Sequence, residues 1–196
     1  MNERVCRLAE EMGCKISYSE PLKKYTTFRV GGECSCIIRP KSAADCGKLA
    51  AELNKEGESF FVLGKGSNVI ADDSGYKGTV LLIGEDMAEI AVNGNIITAG
   101  AGASLISVCK RALENSLAGM EFAYGIPGTV GGGVYMNAGA YGGEIKDILK
   151  YAEAVDRESG EVRRFTAEEA QLSYRKSIFM NDRYIITSAV FELSEG

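Results

Sequence analysis

Glycine is concentrated in one stretch, residues 125–144, which reads GIPGTVGGGVYMNAGAYGGE. Eight of its twenty residues are glycine, and most of the others are apolar or aromatic, with almost no charge. A flexible linker would instead be rich in Ser, Lys or Glu. Glycine among apolar residues is typical of backbone that bends sharply or lies against something that a side chain would block. The stretch therefore predicts either close packing between backbones or a surface for a ligand.

The bulk composition excludes several other classes of protein. The 196 residues are 45% hydrophobic, which suffices for one large domain or two small subdomains. Acidic and basic residues are mixed and the net charge is −5, so we expect no nucleic-acid surface. No apolar run approaches the roughly 20 residues of a membrane helix, and Glu10 and Glu11 interrupt any signal-peptide core. We therefore expect a cytoplasmic protein without a membrane partner.

The chain has six cysteines and no histidine. Cys34 and Cys36 fall in an apolar run, where residues two apart share one strand face, and this favours packed free thiols over a metal site. No metal is expected. The lack of histidine removes Ser–His and Cys–His pairs and the commonest general base. Any chemistry must rest on Arg, Lys, Tyr, Ser, carboxylates or a cofactor.

Hydrophobic periodicity predicts an α+β fold with two subdomains. A strand ending before Pro40, a helix capped by Ser42 and two buried strands form a β-α-β unit, which favours a partly parallel sheet. The later part of the chain predicts more strands and a helix after Ser104, and Thr166 with Glu169 predicts one further short helix. The predicted organisation is an N-terminal helix and lead-in (1–20), a first subdomain (21–84) and a second subdomain (85–196).

The sequence LGKGSN at residues 63–68 is a candidate anion-binding loop. It follows a buried strand, and Gly64 and Gly66 allow a tight turn whose N–H groups converge on one point. It lacks the third glycine of the dinucleotide fingerprint, where Val69 stands, and the chain has no GK[ST] of a P-loop. Taken alone, this motif fits a plain turn after a strand at least as well as it fits an anion-binding site.

The glycine-rich stretch supplies a second candidate loop. Pro127 and Gly128 predict a turn, and Thr129 is a suitable N-cap for a short glycine-rich helix or coil close to a ligand. Helix packing alone would not explain why Asn137 and a further glycine turn belong to the same cluster. Two loops able to hold anions, in a chain without histidine, indicate a phosphorylated cofactor.

Four motifs together point to one family. They are TTFRVGG (26–32), LGKGSNV (63–69), GMEFAYGIPGTVGGGVYMNAGAYGGE (119–144) and SYRKSIF (173–179). In this order and spacing they closely resemble the UDP-N-acetylenolpyruvoylglucosamine reductases, the MurB-type flavoenzymes of peptidoglycan precursor synthesis. The resemblance extends from about residue 20 to the end of the chain, although no single motif is specific.

The resemblance implies a two-subdomain FAD-binding fold, of the type found in vanillyl-alcohol oxidase, in which both glycine loops enclose FAD. Because this chain lacks the histidine that some members of the wider fold link to flavin, attachment should be non-covalent. The residues that match the family's cofactor contacts are Gly64, Lys65, Gly66, Ser67, Asn68 and Val69 around the pyrophosphate, Ile126, Pro127, Gly128, Thr129, Gly132, Asn137 and Gly139 around the flavin and its linker, and Ile186 near the adenine.

The resemblance also implies a reaction. In that family NADPH reduces FAD and leaves, and hydride then passes from the flavin to the enol ether of UDP-N-acetylglucosamine enolpyruvate, giving UDP-N-acetylmuramate. The carboxylate that gains charge needs a cation and then a proton donor. Arg175, in SYRKS, matches the family's catalytic arginine, and a permanently charged planar fork suits this role. Without the motif, a surface arginine beside Lys176 would be an equal interpretation.

The family's proton-donor serine and catalytic glutamate belong to a C-terminal substrate-binding domain. No motif in this chain carries them, so the sequence resembles the FAD-binding part alone. Two alternatives therefore remain open at this point: a flavin-binding module without catalysis of its own, and a different oxidoreductase on the same fold.

Overall fold

The computed structural model describes residues 3–196 of the chain, so residues 1 and 2 of the predicted N-terminal segment lie outside it. The helices are α1 (Glu3–Glu11), α2 (Ala43–Lys55), α3 (Leu105–Glu114) and α4 (Val130–Tyr135). The strands are β1 (Lys15–Pro21), β2 (Glu33–Arg39), β3 (Phe60–Leu63), β4 (Tyr76–Leu82), β5 (Ile90–Asn93), β6 (Ile96–Gly100), β7 (Leu117–Ala118), β8 (Gly139–Ala140), β9 (Gly143–Glu144), β10 (Leu149–Asp156), β11 (Val162–Thr166), β12 (Tyr184–Glu192) and β13 (Ser194–Glu195).

The first sheet has the strand order β1-β2-β4-β3. Strands β2, β4 and β3 are parallel, as the β-α-β pattern predicts, and helix α2 makes the crossover between β2 and β3. Ser42 caps α2 by accepting a hydrogen bond from the Asp45 N–H at 3.1 Å, and the buried face of the helix includes Leu49 and Leu53. The capping pattern and the apolar spacing of this helix are both observed.

Strand β1 was not predicted. This region falls in the predicted lead-in (1–20), but in the structure it pairs antiparallel with β2, with Ile16 opposite Ile38. Every residue of the strand is half-buried or exposed, because it lies at the edge of the sheet. Its sequence therefore lacks the apolar run that reveals the central strands.

The second sheet is antiparallel throughout, with the order β11-β10-β12-β6-β5. Helices α3 and α4 both contact β6, and α4 also lies along β12. The prediction of a short helix that begins at Thr166 and includes Glu169 is wrong. The two side chains do form a reciprocal cap, at 2.9 and 3.2 Å, but the chain makes only turns before Gln171 adopts a left-handed φ of 49°.

One hydrophobic core joins the two sheets, and α2 contacts both β10 and β12 of the second sheet. At this contact Gly47 of α2 meets the turn after β10, where a Cβ added to Gly47 would lie 2.6 Å from the Gly160 carbonyl oxygen. Asn54 Nδ2 also donates to the Arg157 carbonyl oxygen at 2.6 Å. The turn between β10 and β11 is therefore held against the first sheet.

All six cysteines are free and buried, including the Cys34 and Cys36 pair in β2. Within residues 3–196, no helix is long and apolar enough to cross a membrane.

Candidate functional site

The main cavity lies between the two sheets and has a volume of about 840 Å³. Its walls come from β3 and the loop after it, from α4 and the turn before it, and from the start of β12. The loop and the turn are in direct contact. A Cβ on Gly64 would lie 2.5 Å from Thr129 Oγ1, and one on Gly128 would lie 3.6 Å from Ser67 Oγ. The two glycine segments predicted to hold a cofactor therefore form one site.

The glycines of this site have two different functions. A Cβ on Gly132 would meet only Thr129 Oγ1, at an ordinary 3.6 Å, and Gly128 is equally open on its cavity side. In contrast, a Cβ on Gly131 would lie 3.0 Å from Ala101 Cβ, and one on Gly133 would lie 3.2 Å from Leu105 Cδ1. Gly128 and Gly132 keep the cavity open, whereas Gly131 and Gly133 allow α4 to pack.

Gly66 is required by the backbone of its own loop. Its φ is +63°, and a Cβ there would overlap the Tyr25 carbonyl oxygen. The Gly66 carbonyl oxygen accepts a hydrogen bond from Thr27 N–H at 3.0 Å. The segment that begins the TTFRVGG motif therefore packs against one side of the loop at residues 64–68, and the other side of this loop faces the cavity.

The structure brings nearly all of the predicted cofactor residues to this cavity. Its lining includes Gly64, Lys65, Gly66, Ser67, Asn68, Val69, Ile126, Pro127, Gly128, Thr129, Gly132 and Ile186, and also Arg175. The rest of the wall is mostly apolar or aromatic, with Arg157 and Asp182 as its charged residues, and Ser67 and Asn68 put two short polar side chains at the loop. A cavity of this kind, open at Gly128 and Gly132, fits a dinucleotide with an apolar ring system and a charged centre.

Asn137 and Gly139 do not line the main cavity. Asn137 is buried, and its amide makes three hydrogen bonds to the protein: Nδ2 donates to Glu144 Oε2 and to the Ser173 carbonyl oxygen, and Oδ1 accepts from Lys146 N–H. Its φ of 43° is left-handed, which asparagine tolerates better than most residues. The side chain therefore ties the β8–β9 hairpin to the segment that carries Arg175.

Arg175 stands where the main cavity meets a smaller cleft of about 450 Å³ and lines both. Its Nη2 donates to the Gly139 carbonyl oxygen at 3.2 Å, and its guanidinium carbon lies 5.6 Å from the centre of the Tyr174 ring. Ser177 fixes the same segment by donating from Oγ to the Tyr135 carbonyl oxygen at 2.7 Å. The geometry places a permanent positive charge at the cavity rim.

Glu144 and Asp147 are the acidic residues that line the smaller cleft with Arg175. Glu144 also makes a close ion pair. Its carboxylate pairs with Lys146 Nζ at 2.6 Å, and this contact holds the pKa of Glu144 below its ordinary value despite a smaller opposing effect of burial. The carboxyl group stays ionised near neutral pH, so it is unsuited to donate a proton. No group of three or more metal-ligating side chains occurs within residues 3–196.

The sequence did not indicate two charged residues of the main cavity, Arg157 and Asp182. Arg157 lies in the turn after β10, 3.9 Å from the centre of the Phe60 ring, and burial lowers the pKa of its guanidinium. The sequence identifies a turn there, but the approach of that turn to β3 depends on the packing of two sheets and leaves no local signal.

The comparison with protein families identifies the family of the chain. Residues 34–166 match the family model described as FAD binding domain. The chain belongs to the family of FAD binding domains. Its cofactor is FAD, as the resemblance implied, and FAD is the kind of phosphorylated cofactor that the two loops indicated.

Two relatives of this FAD binding domain are both named UDP-N-acetylenolpyruvoylglucosamine reductase. It is 42% identical over 182 residues to a UDP-N-acetylenolpyruvoylglucosamine reductase of Alkaliphilus oremlandii, covering 92% of this chain and 59% of the relative. Over 182 residues it is 44% identical to UDP-N-acetylenolpyruvoylglucosamine reductase 2 of Bacillus cereus, again covering 92% of this chain and 59% of the relative. The predicted resemblance is therefore confirmed, and the chain spans about 59% of the length of these relatives.

Solved structures agree. The Thermus caldophilus UDP-N-acetylenolpyruvylglucosamine reductase superposes with a TM-score of 0.76 at 30% identity, covering 93% of this chain and 62% of that one. The glucooligosaccharide oxidase of Acremonium strictum superposes with a TM-score of 0.68 at 17% identity, covering 97% of this chain and 42% of that one, and shows the fold alone. The predicted fold class, an α+β FAD-binding fold of the vanillyl-alcohol oxidase type, is confirmed.

Proposed function

We propose that this FAD binding domain is the flavin-holding part of a UDP-N-acetylmuramate dehydrogenase. The reaction is the NADPH-dependent reduction of UDP-N-acetylglucosamine enolpyruvate, a step in peptidoglycan precursor synthesis. The observation that carries the proposal is Arg175, fixed at the rim of the FAD cavity by Gly139 and lining a second cleft beside it. The names of the relatives give the substrate class.

FAD is held non-covalently in this proposal. The chain has no histidine, and none of its cysteines lines the cavity. The backbone N–H groups of residues 64–68, with the side chains of Ser67 and Asn68, would hold the pyrophosphate. Residues 126–129 and the open side of Gly132 would hold the flavin and its linker. If yellow colour stayed with acid-precipitated protein, non-covalent binding would be excluded.

Arg175 stabilises the substrate carboxylate. FAD, when bound, supplies the hydride chemistry; NADPH is the transient reductant. The guanidinium offers parallel N–H donors that match a carboxylate which gains charge when hydride adds to the enol-ether methylene, because the electron pair of the double bond moves to the carbon that bears the carboxylate. The left-handed backbone at Arg175 (φ 54°) and the bond to Gly139 hold this exposed side chain at the rim of the cavity.

The partners of the reaction are small molecules. The chain's net charge of −5 gives no support for a nucleic-acid partner, and no metal enters the proposed chemistry. A cytoplasmic location is consistent with six unpaired thiols, because disulfides are rare in that compartment.

A chimera tests the proposal. Residues 1–196 are joined in frame to the C-terminal part of the Alkaliphilus oremlandii reductase, and NADPH oxidation and UDP-N-acetylmuramate formation are both measured. We expect turnover in the chimera, and we expect Arg175→Ala to lower kcat about 100- to 1,000-fold, the usual cost of removing one charge-stabilising donor. The matched control is the exposed neighbour Lys176→Ala, which should leave kcat within about twofold.

The outcome separates the alternatives. A chimera that binds FAD but forms no product, although the intact Alkaliphilus oremlandii protein does, would support a flavin-binding module without catalysis of its own. NADPH oxidation that does not depend on the enolpyruvyl sugar would indicate a different oxidoreductase. If Arg175→Ala and Lys176→Ala lowered kcat equally, Arg175 would have no specific role in the reaction.

A further inference from the structure

Asn137 lies where three segments around Arg175 meet. It follows the end of α4, and its N–H donates to the Val134 carbonyl oxygen at 3.1 Å, so its backbone is attached to the helix that lines the FAD cavity. The residue is 1% exposed, and its amide makes three hydrogen bonds to other segments. A buried amide with this many bonds has one defined orientation.

The first of these bonds reaches the base of a tight turn that carries Arg175. Ser173 and Lys176 close this turn with two reciprocal backbone hydrogen bonds, at 3.0 and 3.1 Å. Asn137 Nδ2 donates to the same Ser173 carbonyl oxygen at 3.0 Å. Arg175 is the third residue of the turn and has a left-handed φ of 54°, which is uncommon for residues other than glycine. Contacts from outside the turn are needed to hold such a conformation.

The other two bonds hold the carbonyl group that the guanidinium contacts. Arg175 Nη2 donates to the Gly139 carbonyl oxygen in β8 at 3.2 Å, and Gly139 pairs with Glu144 of β9. Asn137 Nδ2 donates to Glu144 Oε2 at 3.1 Å. Asn137 Oδ1 accepts from Lys146 N–H at 2.9 Å. Both the backbone turn of Arg175 and the contact of its guanidinium therefore depend on one amide.

Asn137 also engages an acidic group that shares the smaller cleft with Arg175. The Glu144 carboxylate lines this cleft, but it bonds to Lys146 Nζ and to the Asn137 amide. Within residues 3–196, no carboxylate forms an ion pair with Arg175. An arginine has five N–H donors, and the bond to Gly139 uses one of them. The charge and most of the donors of Arg175 are thus available to a ligand.

We propose that Asn137 is a positioning residue for Arg175: its amide fixes the turn and the carbonyl contact that orient the guanidinium towards the substrate carboxylate. This inference rests on the proposed function, in which Arg175 stabilises that carboxylate. Asn137 itself touches neither the substrate nor FAD. The competing explanations are a direct contact with FAD, which the motif suggested, and general support of the fold.

The first experiment measures the mobility of the Arg175 side chain in the FAD-bound chain, by NMR relaxation of its Nε–H group, for the wild type and Asn137→Gly. Glycine adopts the left-handed φ of 43° without strain, so this variant removes the amide and keeps the backbone conformation. We expect the order parameter of Arg175 to fall below about 0.6, the range of a flexible group, and that of Arg157 to stay unchanged. FAD affinity should stay within about twofold, because Asn137 does not line the main cavity.

The second experiment is a double-mutant cycle in the chimera described above. Asn137→Gly should lower kcat about 10- to 100-fold, the scale of the loss when a catalytic group is displaced by about 1 Å. In the Arg175→Ala background the same substitution should cost less than about twofold, because the group through which it acts is gone. General support of the fold would instead lower kcat by the same factor in both backgrounds.

Two further variants control for the loss of the amide. Asn137→Asp keeps the shape of the side chain and an acceptor for Lys146 N–H, but it removes the donor, so it should resemble Asn137→Gly. Asn95 is the matched control, because its Nδ2 also donates to a backbone carbonyl oxygen, that of Leu193, at 3.0 Å and it lines neither cavity. Asn95→Ala should leave the mobility of Arg175, FAD affinity and kcat unchanged.

Three results would overturn the proposal. An unchanged order parameter of Arg175 in both Asn137 variants would show that the amide does not hold this side chain. A tenfold loss of FAD affinity would favour a cofactor contact, and equal increases in the mobility of Arg175 and Arg157 would favour general support of the fold. The NMR and FAD measurements need no turnover, so they test the role of Asn137 whether or not the chimera carries out the proposed reaction.

Discussion

At the scale of single residues, two neighbouring glycines give the sharpest test of the site. Gly132 faces the open cavity, and Gly133 packs on Leu105. Gly132→Val should abolish FAD binding and change the melting temperature little, because its side chain enters space that the cofactor needs. Gly133→Val should lower stability by about 1–3 kcal/mol through overpacking, while folded molecules still bind FAD. Thermal melts and FAD titrations of both variants measure these effects. If the two variants behaved identically, the assignment of Gly132 to the cavity and of Gly133 to helix packing would be contradicted.

The sequence predicted the glycine cluster but not this division. The spacing of the glycines indicates that there is no room for side chains at these positions. It does not indicate whether a ligand or a neighbouring part of the protein fills that space, because Ala101 and Leu105, which pack against α4, come from elsewhere in the chain. Asn137 shows the same limit. Its motif suggested a cofactor contact, and in the fold its amide is occupied by Glu144, Lys146 and Ser173.

The thiols supply a second prediction at this scale. Burial raises the pKa of Cys36 and Cys46 to about 12, and that of Cys109 to about 11, so almost no thiolate is present at pH 8. The native protein should react very slowly with an aromatic disulfide reagent, whereas all six thiols should react within minutes in guanidinium chloride. A thiol that titrates rapidly in the native protein would show that one of these cysteines is accessible.

At the scale of elements, the turn between β10 and β11 carries a pH-dependent contribution to stability. Burial alone would raise the pKa of Asp156, but N–H groups of Glu158 and Ser159 and the Arg183 guanidinium together hold it below 3.8. Since the folded pKa is depressed, the stabilisation is complete above about pH 3.8 and is lost as pH falls through the lower, folded value.

Asp156→Asn tests this contribution. At pH 7 the variant should be less stable by roughly 1–3 kcal/mol, the usual range for hydrogen bonds to a charged group, and the difference should shrink below pH 3.8. Urea unfolding at several pH values measures it. Glu192→Gln, which removes an exposed ion pair with Lys150, is the control and should cost less than about 1 kcal/mol at any pH. A constant difference between Asp156→Asn and wild type across the acid range would contradict the linkage.

Elements were predictable where their own sequence carries the signal. Helix α2 has a capping serine and a regular apolar face, and the strands of the parallel sheet are apolar runs. The edge strand β1 has no such run and depends on pairing with β2. The turns after Thr166 show the converse case: a correct capping pattern does not propagate a helix when the chain reverses at Gln171.

At the scale of the whole molecule, the cofactor and the core both connect the two sheets. The FAD cavity takes one wall from β3 and its loop and the other from α4 and β12, while the hydrophobic core runs through both sheets without interruption. The sequence predicted two subdomains but could not indicate how closely they meet, because contacts such as Gly47 with Gly160 join residues far apart in the chain.

A single cooperative unfolding transition follows from this arrangement. The flavin-free chain should unfold in one step, because most buried side chains belong to one core cluster that spans both sheets. The first sheet adds only a small second cluster of Leu22, Cys34, Ile37, Leu63 and Val80. FAD at a hundred times its dissociation constant should stabilise the whole chain by about 2.7 kcal/mol, because it binds only where the walls from both sheets are present. Denaturant unfolding followed by circular dichroism and by tyrosine fluorescence measures this. Two separate transitions, with FAD shifting only one of them, would mean that the sheets fold independently and that the cavity belongs mainly to one.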